Sequence, residues 1–345
     1  MPLLRRGTIV KLQGVFKVTV PLVLGAATMS VAQQPTPPIT LEVPLACRFG
    51  ETCFIQQYFD HDPGPGAKDY RCGPMVYDGH DGVDLRVPTM AQQQRGVEVL
   101  AAASGVVRAI RDGMNDVSVR VAGADSVKGR ECGNGVAVTH PGGWETQYCH
   151  MAKGSVRVKT GQAVTTGTPL GLVGMSGNAE FAHLHLTVSH NQQKIDPFAW
   201  DSAPGICGSG THSLWSKDAA LALAYHSPDV VNTGFAPGQV TMDDVESGRA
   251  AEARPQADSP MIMAYVRPIG LKSGDIQALT LRGPGGVVLA RGQTRPLDGD
   301  KAQLIYFVGK RRTATAWPAG EYEAQYEVRR DGATALIKRF DFTLR

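Results

Sequence analysis

The sequence predicts a mainly β protein, with a small antiparallel sheet over residues 76–200 and a β-sandwich, immunoglobulin-like in its strand spacing, over 260–345. Three observations predict it. The 345 residues include 40 Gly and 22 Pro but no sustained apolar pattern of helical period, a composition that favours short strands and tight turns. Between Val76 and Trp200, runs such as EVLAAASGVVRAI, VSVRVAG and GVAVTH read as strands, each bounded by Gly or Pro. Near the end of the chain, Tyr322, Ala324, Tyr326 and Val328 alternate with Glu321, Glu323, Gln325 and Glu327, and Asp331 with Gly332 supplies a hairpin turn.

Taken in order, residues 1–32 read as a secretory signal. Arg5, Arg6, Lys11 and Lys17 precede or enter an apolar run, Val18 to Met29, followed by small residues, with cleavage expected near Ala32. The run is too short to span a bilayer comfortably, and the residues after the twin arginines are poorly placed for a twin-arginine signal. Its removal takes away four positive charges and no acidic ones, so the formal +3 becomes about −1 (3 − 4). A nucleic-acid partner then loses its electrostatic support. The expectation is an exported protein, periplasmic or secreted, with no stable membrane insertion after cleavage.

Residues 33–75 form an N-terminal arm. Its DHDPGPGAKDY stretch places Asp60, Asp62 and Asp69 as turn residues that cap backbone amides, because the Glu and Gly of an EF-hand loop are missing. His61 there reads as solvent-facing. The six cysteines, Cys47, Cys53, Cys72, Cys132, Cys149 and Cys207, include no CxxC spacing, and an even number in an oxidising compartment favours disulfides over thiolate metal sites. Cys132 and Cys149 flank GNGVAVTHPGGWETQY, which reads as a hairpin turning at Pro141 to Gly143; a bridge between them would brace His150. The other pairings stay open, with Cys47, Cys53 and Cys72 placed to fasten the arm to the core.

Chemistry concentrates in two short motifs. GHDGVD holds His80 and Asp84; AHLHL holds His183 and His185, two imidazoles on one side of an extended strand while Leu184 and Leu186 take the other. Two imidazole nitrogens and one carboxylate oxygen fill three corners of a zinc tetrahedron and leave the fourth for catalysis. His150, in QYCHM, lies between the motifs. His140, His190, His212 and His226 read as ordinary surface residues, and Asp78 and Asp81 as turn residues.

The succession HDGVDLRVP, VLAAASGVVRAI, GNGVAVTHPGGWETQYCHM, VKTGQAVTTGTPLGLVG and HLHL resembles the lysostaphin/LytM-type zinc peptidases over residues 76–200. That resemblance implies a β-sheet groove with one Zn²⁺ at its floor, held by His80, Asp84 and His185, and peptidoglycan stem peptides as partners. It implies a zinc metallo-endopeptidase of the bacterial envelope, its water activated by zinc and histidine. With no HExxH glutamate, histidine takes the role of base: His183 as general base and His150 at the oxyanion or leaving group, the two roles being exchangeable. The alternative is a non-catalytic envelope module that binds peptidoglycan peptide or activates another hydrolase. The chain departs from the family before HxH, where MSGNAEFAHLH puts Glu180 and Phe181 in place of a Ser/Thr/Gly-rich loop ending in Gly-Pro. TMAQQQRG (Thr89 to Gly96) reads as a longer loop near the site.

Residues 201–259 read as a linker. Lys217 to Tyr225 is a short helical candidate, and Thr241 to Ser259, rich in charge, Ala and Pro, an exposed link with little to bury. The sandwich over 260–345 contains neither His nor Cys. Its aromatics read as core, and positioning on the cell wall or on an envelope protein partner is its candidate role.

Overall fold

The computed structural model describes residues 39–345, so the expected signal peptide lies outside the described residues. The first half is built from strands β1 (Phe54–Gln57), β2 (Val83–Arg86), β3 (Glu98–Leu100), β4 (Gly105–Arg111), β5 (Asn134–His140), β6 (Trp144–Met151), β7 (Ala163–Val164), β8 (Pro169–Leu172), β9 (His183–His190) and β10 (Gln193–Ile195). Eight of them form one antiparallel sheet in the order β1-β2-β9-β6-β5-β4-β7, with β10 beside β9; β3 and β8 pair separately. Period-two alternation gives the large sheet two unlike faces. Val83, Leu85, Leu184, Leu186 and Val188 sit in one apolar core, while Asp84, Arg86, His183, His185 and Thr187 share the opposite face.

The hairpin between β5 and β6 turns at Pro141–Gly143, where φ of +74° at Gly142 and +80° at Gly143 requires residues without a Cβ. Cys132 and Cys149 are bridged beside it with a Cα–Cα distance of 4.8 Å. Cys47 pairs with Cys53 inside the arm, and Cys72 pairs with Cys207, tying the arm to the segment that follows the sheet. The arm's aspartates cap turns as expected: Asp60 accepts from the Asp62 and Gly79 amides, Asp62 from Gly64, and Asp69 from Arg71 and Gly73.

The second half adds β11 (Asp229–Ala236), β12 (Met261–Leu271), β13 (Ile276–Arg282), β14 (Val288–Gln293), β15 (Lys301–Gln303), β16 (Tyr306–Arg311), β17 (Gly320–Arg330) and β18 (Ala333–Leu344). One sheet runs β11-β12-β15 with β16 also on β12, the other β14-β13-β17-β18. Their inner faces share a core, Ile262, Ala264 and Val266 from one sheet against Leu279, Leu281, Tyr322, Ala324, Tyr326 and Val328 from the other. The β17–β18 turn falls at Asp331 and Gly332, both at positive φ as a two-residue hairpin demands.

Several local readings give way to structure. VSVRVAG is not a strand: Ser118 caps a short helix, Val119–Ala122, and the Val119 amide donates to the Ala179 carbonyl. TMAQQQRG is a helix, Met90–Gln94, capped by Thr89. The 201–259 stretch contributes β11, paired along β12, and the helix Lys217–Ala222 at the helical candidate. Thr241 to Ser259 is not an exposed link. Thr241 and Asp244 form a capping box on the helix Met242–Ser247, and Val245 and Ala250 pack with Met263 and Tyr265.

His61 and His140 are buried, not solvent-facing, because each finds a polar partner far away in sequence. His61 Nε2 lies 2.7 Å from Asp196 Oδ2, and His140 bridges the Ser104 carbonyl and the Thr146 hydroxyl.

Removing the hairpin bridge by Cys132→Ser with Cys149→Ser frees a loop of 17 residues in the unfolded chain. The expected loss is about 2–4 kcal/mol, read as a lower urea midpoint, with a slope that is equal or steeper because the unfolded chain expands. An unmoved midpoint would mean that the hairpin holds without the bond.

Candidate metal centre and active site

β2 and β9 pair with Asp84 opposite His185 and Arg86 opposite His183, which places all four side chains on one face. His80 arrives from the turn before β2. Its Nδ1 lies 2.6 Å from the Tyr58 carbonyl, an oxygen that only accepts, so Nδ1 carries the hydrogen and Nε2 presents a lone pair. The arm therefore orients this histidine. Across the strand, His185 Nε2 points to the Thr187 hydroxyl at 3.0 Å and to Asp81 Oδ1 at 3.4 Å, which turns the Nδ1 lone pair inward. Asp81 is held in turn by Lys194 at 3.5 Å, so this residue, read from sequence as a turn, supports the site.

His80 Nε2, His185 Nδ1 and Asp84 Oδ1 converge. The separations are 3.1 Å between the two nitrogens, 3.2 Å from His80 to Asp84 and 2.9 Å from His185 to Asp84. Ligand atoms about 2 Å from a tetrahedral ion lie roughly 3.3 Å apart, so the three donors fit one zinc-sized cation. The charges agree. Burial alone would raise the Asp84 carboxyl, but the imidazoles of His80 and His183 hold it well below the usual carboxylate range. Burial pulls His185 down, yet its hydrogen bonds to Asp81 and Asp84 push it up to about 9. Without an ion the cluster keeps a positive charge as a proton; with one, the ion replaces it.

The two remaining imidazoles stand alongside. His183 Nδ1 donates to the Phe181 carbonyl at 2.8 Å, and its Nε2 lies 3.4 Å from Asp84 Oδ1. His150 Nδ1 donates to the Ser176 carbonyl at 2.7 Å, and the His150 and His183 rings are 4.6 Å apart. Both Nε2 atoms thus carry lone pairs. Burial, then the neighbouring His183 and His185, pushes His150 well below the ordinary imidazole range, so it rests neutral. His150 has φ of +60°, a strained value for a residue with a Cβ, and the Cys149 bridge and the bond from its own amide to the Cys132 carbonyl hold it there.

A cleft of about 240 Å³ opens at His150 and His185, lined also by Tyr77, Gln147, Asn178, Thr187 and Lys194. Sequence reasoning missed these five. Tyr77 is half-exposed with its ring 4.6 Å from that of His80, and only the register of β6, β9 and β10 brings Gln147, Thr187 and Lys194 together.

Ion binding near pH 7 is expected to release about one proton per chain, because His185 must give up the proton that its carboxylate neighbours hold. Titration calorimetry in buffers of different ionisation heat measures it, and affinity should weaken as pH falls. Buffer-independent heats would contradict this account.

Residues 78–197 match peptidase family M23. DD-carboxypeptidase/endopeptidase Mpg of Neisseria meningitidis serogroup B is 29% identical over 137 residues, which are 37% of this chain and 24% of that protein, and the Neisseria gonorrhoeae protein of the same name matches equally. The match thus spans about a quarter of these relatives' length. Among solved structures, the catalytic domain of lysostaphin from Staphylococcus simulans is 21% identical, covers 41% of this chain and 85% of its own, and has a TM-score of 0.26. A catalytic-domain mutant of the M23 protein EnpA from Enterococcus faecalis is 21% identical, covers 43% and 92%, and has a TM-score of 0.30.

Proposed function

From a chain whose residues 78–197 match peptidase family M23, we propose a zinc metallo-endopeptidase of the bacterial envelope that hydrolyses peptide crosslinks in peptidoglycan. The observation that carries the proposal is the convergence of three lone-pair donors beside two further imidazoles, with a cleft opening at His150 and His185. The named activity of the Neisseria relatives favours stem peptides as the substrate.

His80 Nε2, Asp84 Oδ1 and His185 Nδ1 would hold the ion. Zinc, when bound, supplies polarisation of the scissile carbonyl and a more acidic water. His183 is the general base: its Nδ1 hydrogen is committed to Phe181, so Nε2 takes the proton of the attacking water. The proton that His183 takes goes on to the leaving amine, directly or by way of His150, whose Nε2 is free in the neutral ring and donates toward the oxyanion or the amine only after receiving that proton. Gln147, Asn178 and Thr187 offer hydrogen bonds along the cleft to an extended peptide. Three disulfides favour an oxidising compartment, in line with export, and no helix among the described residues is long and apolar enough to cross a membrane. The role proposed for the sandwich is positioning on the cell wall or on an envelope protein partner.

Mass spectrometry of products from isolated peptidoglycan, with and without zinc, tests the reading. His183→Ala is expected to lower kcat by roughly 10²–10⁴ while zinc is retained, whereas His185→Ala loses both zinc and activity. A muropeptide profile that neither chelators nor His185→Ala alters would instead favour a non-catalytic envelope module.

A further inference from the structure

Arg86 lies two residues from Asp84 on the same strand face and is fully buried. A guanidinium enclosed so close to the metal ligands is stable only with partners. Two come from distant segments and one from the next residue: Nη1 donates to Gln56 Oε1 at 3.0 Å, Nη2 to Glu246 Oε1 at 2.8 Å, and Nε to the Val87 carbonyl at 3.2 Å. Glu246 belongs to the helix Met242–Ser247, and its other oxygen pairs with Arg267 on β12, itself buried.

The other side of Arg86 faces Phe181. Its guanidinium carbon sits 4.5 Å from the centroid of the Phe181 ring. That ring is 4.6 Å from the imidazole of His183, and the Phe181 carbonyl accepts the His183 Nδ1 hydrogen. An unbroken chain of contacts thus runs from Glu246 through Arg86 and Phe181 to His183. Glu180 and Phe181 are also where the sequence departs from the lysostaphin pattern.

We infer that Glu246, Arg86 and Phe181 are positioning residues for His183, so that the second β module takes part in the peptidase site by holding the general base in place. This rests on the role proposed for His183 above. An imidazole has a ring tilt and a tautomer to fix: the Phe181 carbonyl sets the tautomer and the Phe181 ring the tilt. Arg86 pins that ring by its planar cation, and Glu246 pins Arg86. Lysine at 86 keeps the charge but loses both the fork and the stacking face. A base displaced by about 1 Å loses up to roughly a hundredfold in rate with little change in substrate binding.

The test uses zinc-loaded full-length protein carrying Glu246→Gln, Arg86→Lys, Phe181→Leu or Phe181→Tyr. For the first three, kcat on purified crosslinked muropeptide is expected to fall about tenfold, with KM within about twofold and zinc stoichiometry unchanged. Phe181→Tyr, which keeps the ring face, should retain more than about half of kcat. Imidazole nitrogen NMR gives a readout independent of turnover: one Nδ1–H tautomer for His183 in the parent, and a mixture in Phe181→Leu and Glu246→Gln. Folded variants with parental kcat and an unchanged His183 signal overturn the inference, as does a loss confined to KM. If a buried-charge variant fails to fold, Phe181→Leu, at a half-buried loop position, decides. If the parent cleaves no muropeptide, the proposed function fails, while the His183 signals still settle the positioning role.

Discussion

The register of β2 against β9, with Asp84 opposite His185, is the constraint on which the rest of the site depends. Side chains on a strand alternate, so a slip of β2 by one residue would put Leu85 in the cleft and Asp84 in the core. Burial of Val83, Leu85, Leu184 and Leu186 therefore selects the pairing that also brings the metal donors together. Core and site are two faces of one requirement. Elements outside the pair then refine it, the arm through the Tyr58 carbonyl on His80 and the Cys132–Cys149 hairpin through the strained backbone of His150.

Polar groups at the two ends of β2 carry opposite excesses. Around Asp84 two imidazole nitrogens and a carboxylate oxygen converge, a cluster that holds a positive charge either as a proton on His185 or as a cation. Around Arg86, two buried guanidinium groups share the single carboxylate of Glu246. Burial, then the proximity of Arg86, pulls Arg267 down to about 9 while Glu246 pulls it up. Two residues of extended chain, roughly 7 Å, separate these centres. The field at His183, which lies across from Arg86 and beside Asp84, is set by both.

Much of this was legible in the sequence where the signal is local. HxH on a strand, the hairpin around Pro141 to Gly143 with its flanking cysteines, and the alternation of Tyr322 to Val328 each depend on spacing within a short window, and each has its structural counterpart. Residues whose partners come from far away were not legible. Glu246 looked like part of a solvated run, yet it meets arginines 160 and 21 positions away (246 − 86 and 267 − 246). His61 and Asp196, or Asp81 and Lys194, carry no pattern that announces their pairing. VSVRVAG had strand composition, but a single serine cap and one hydrogen bond to Ala179 turn it into a helix, since short segments follow their neighbours more than their propensities.

The Cys72–Cys207 bond closes a covalent ring that contains β2 to β10 and all five histidine and aspartate side chains of the centre. A single backbone scission anywhere inside that ring leaves one molecule, not two fragments. Nicked protein would migrate as an intact species until a reductant opened the ring, and the ligands supplied before and after the cut would stay tethered to the same particle.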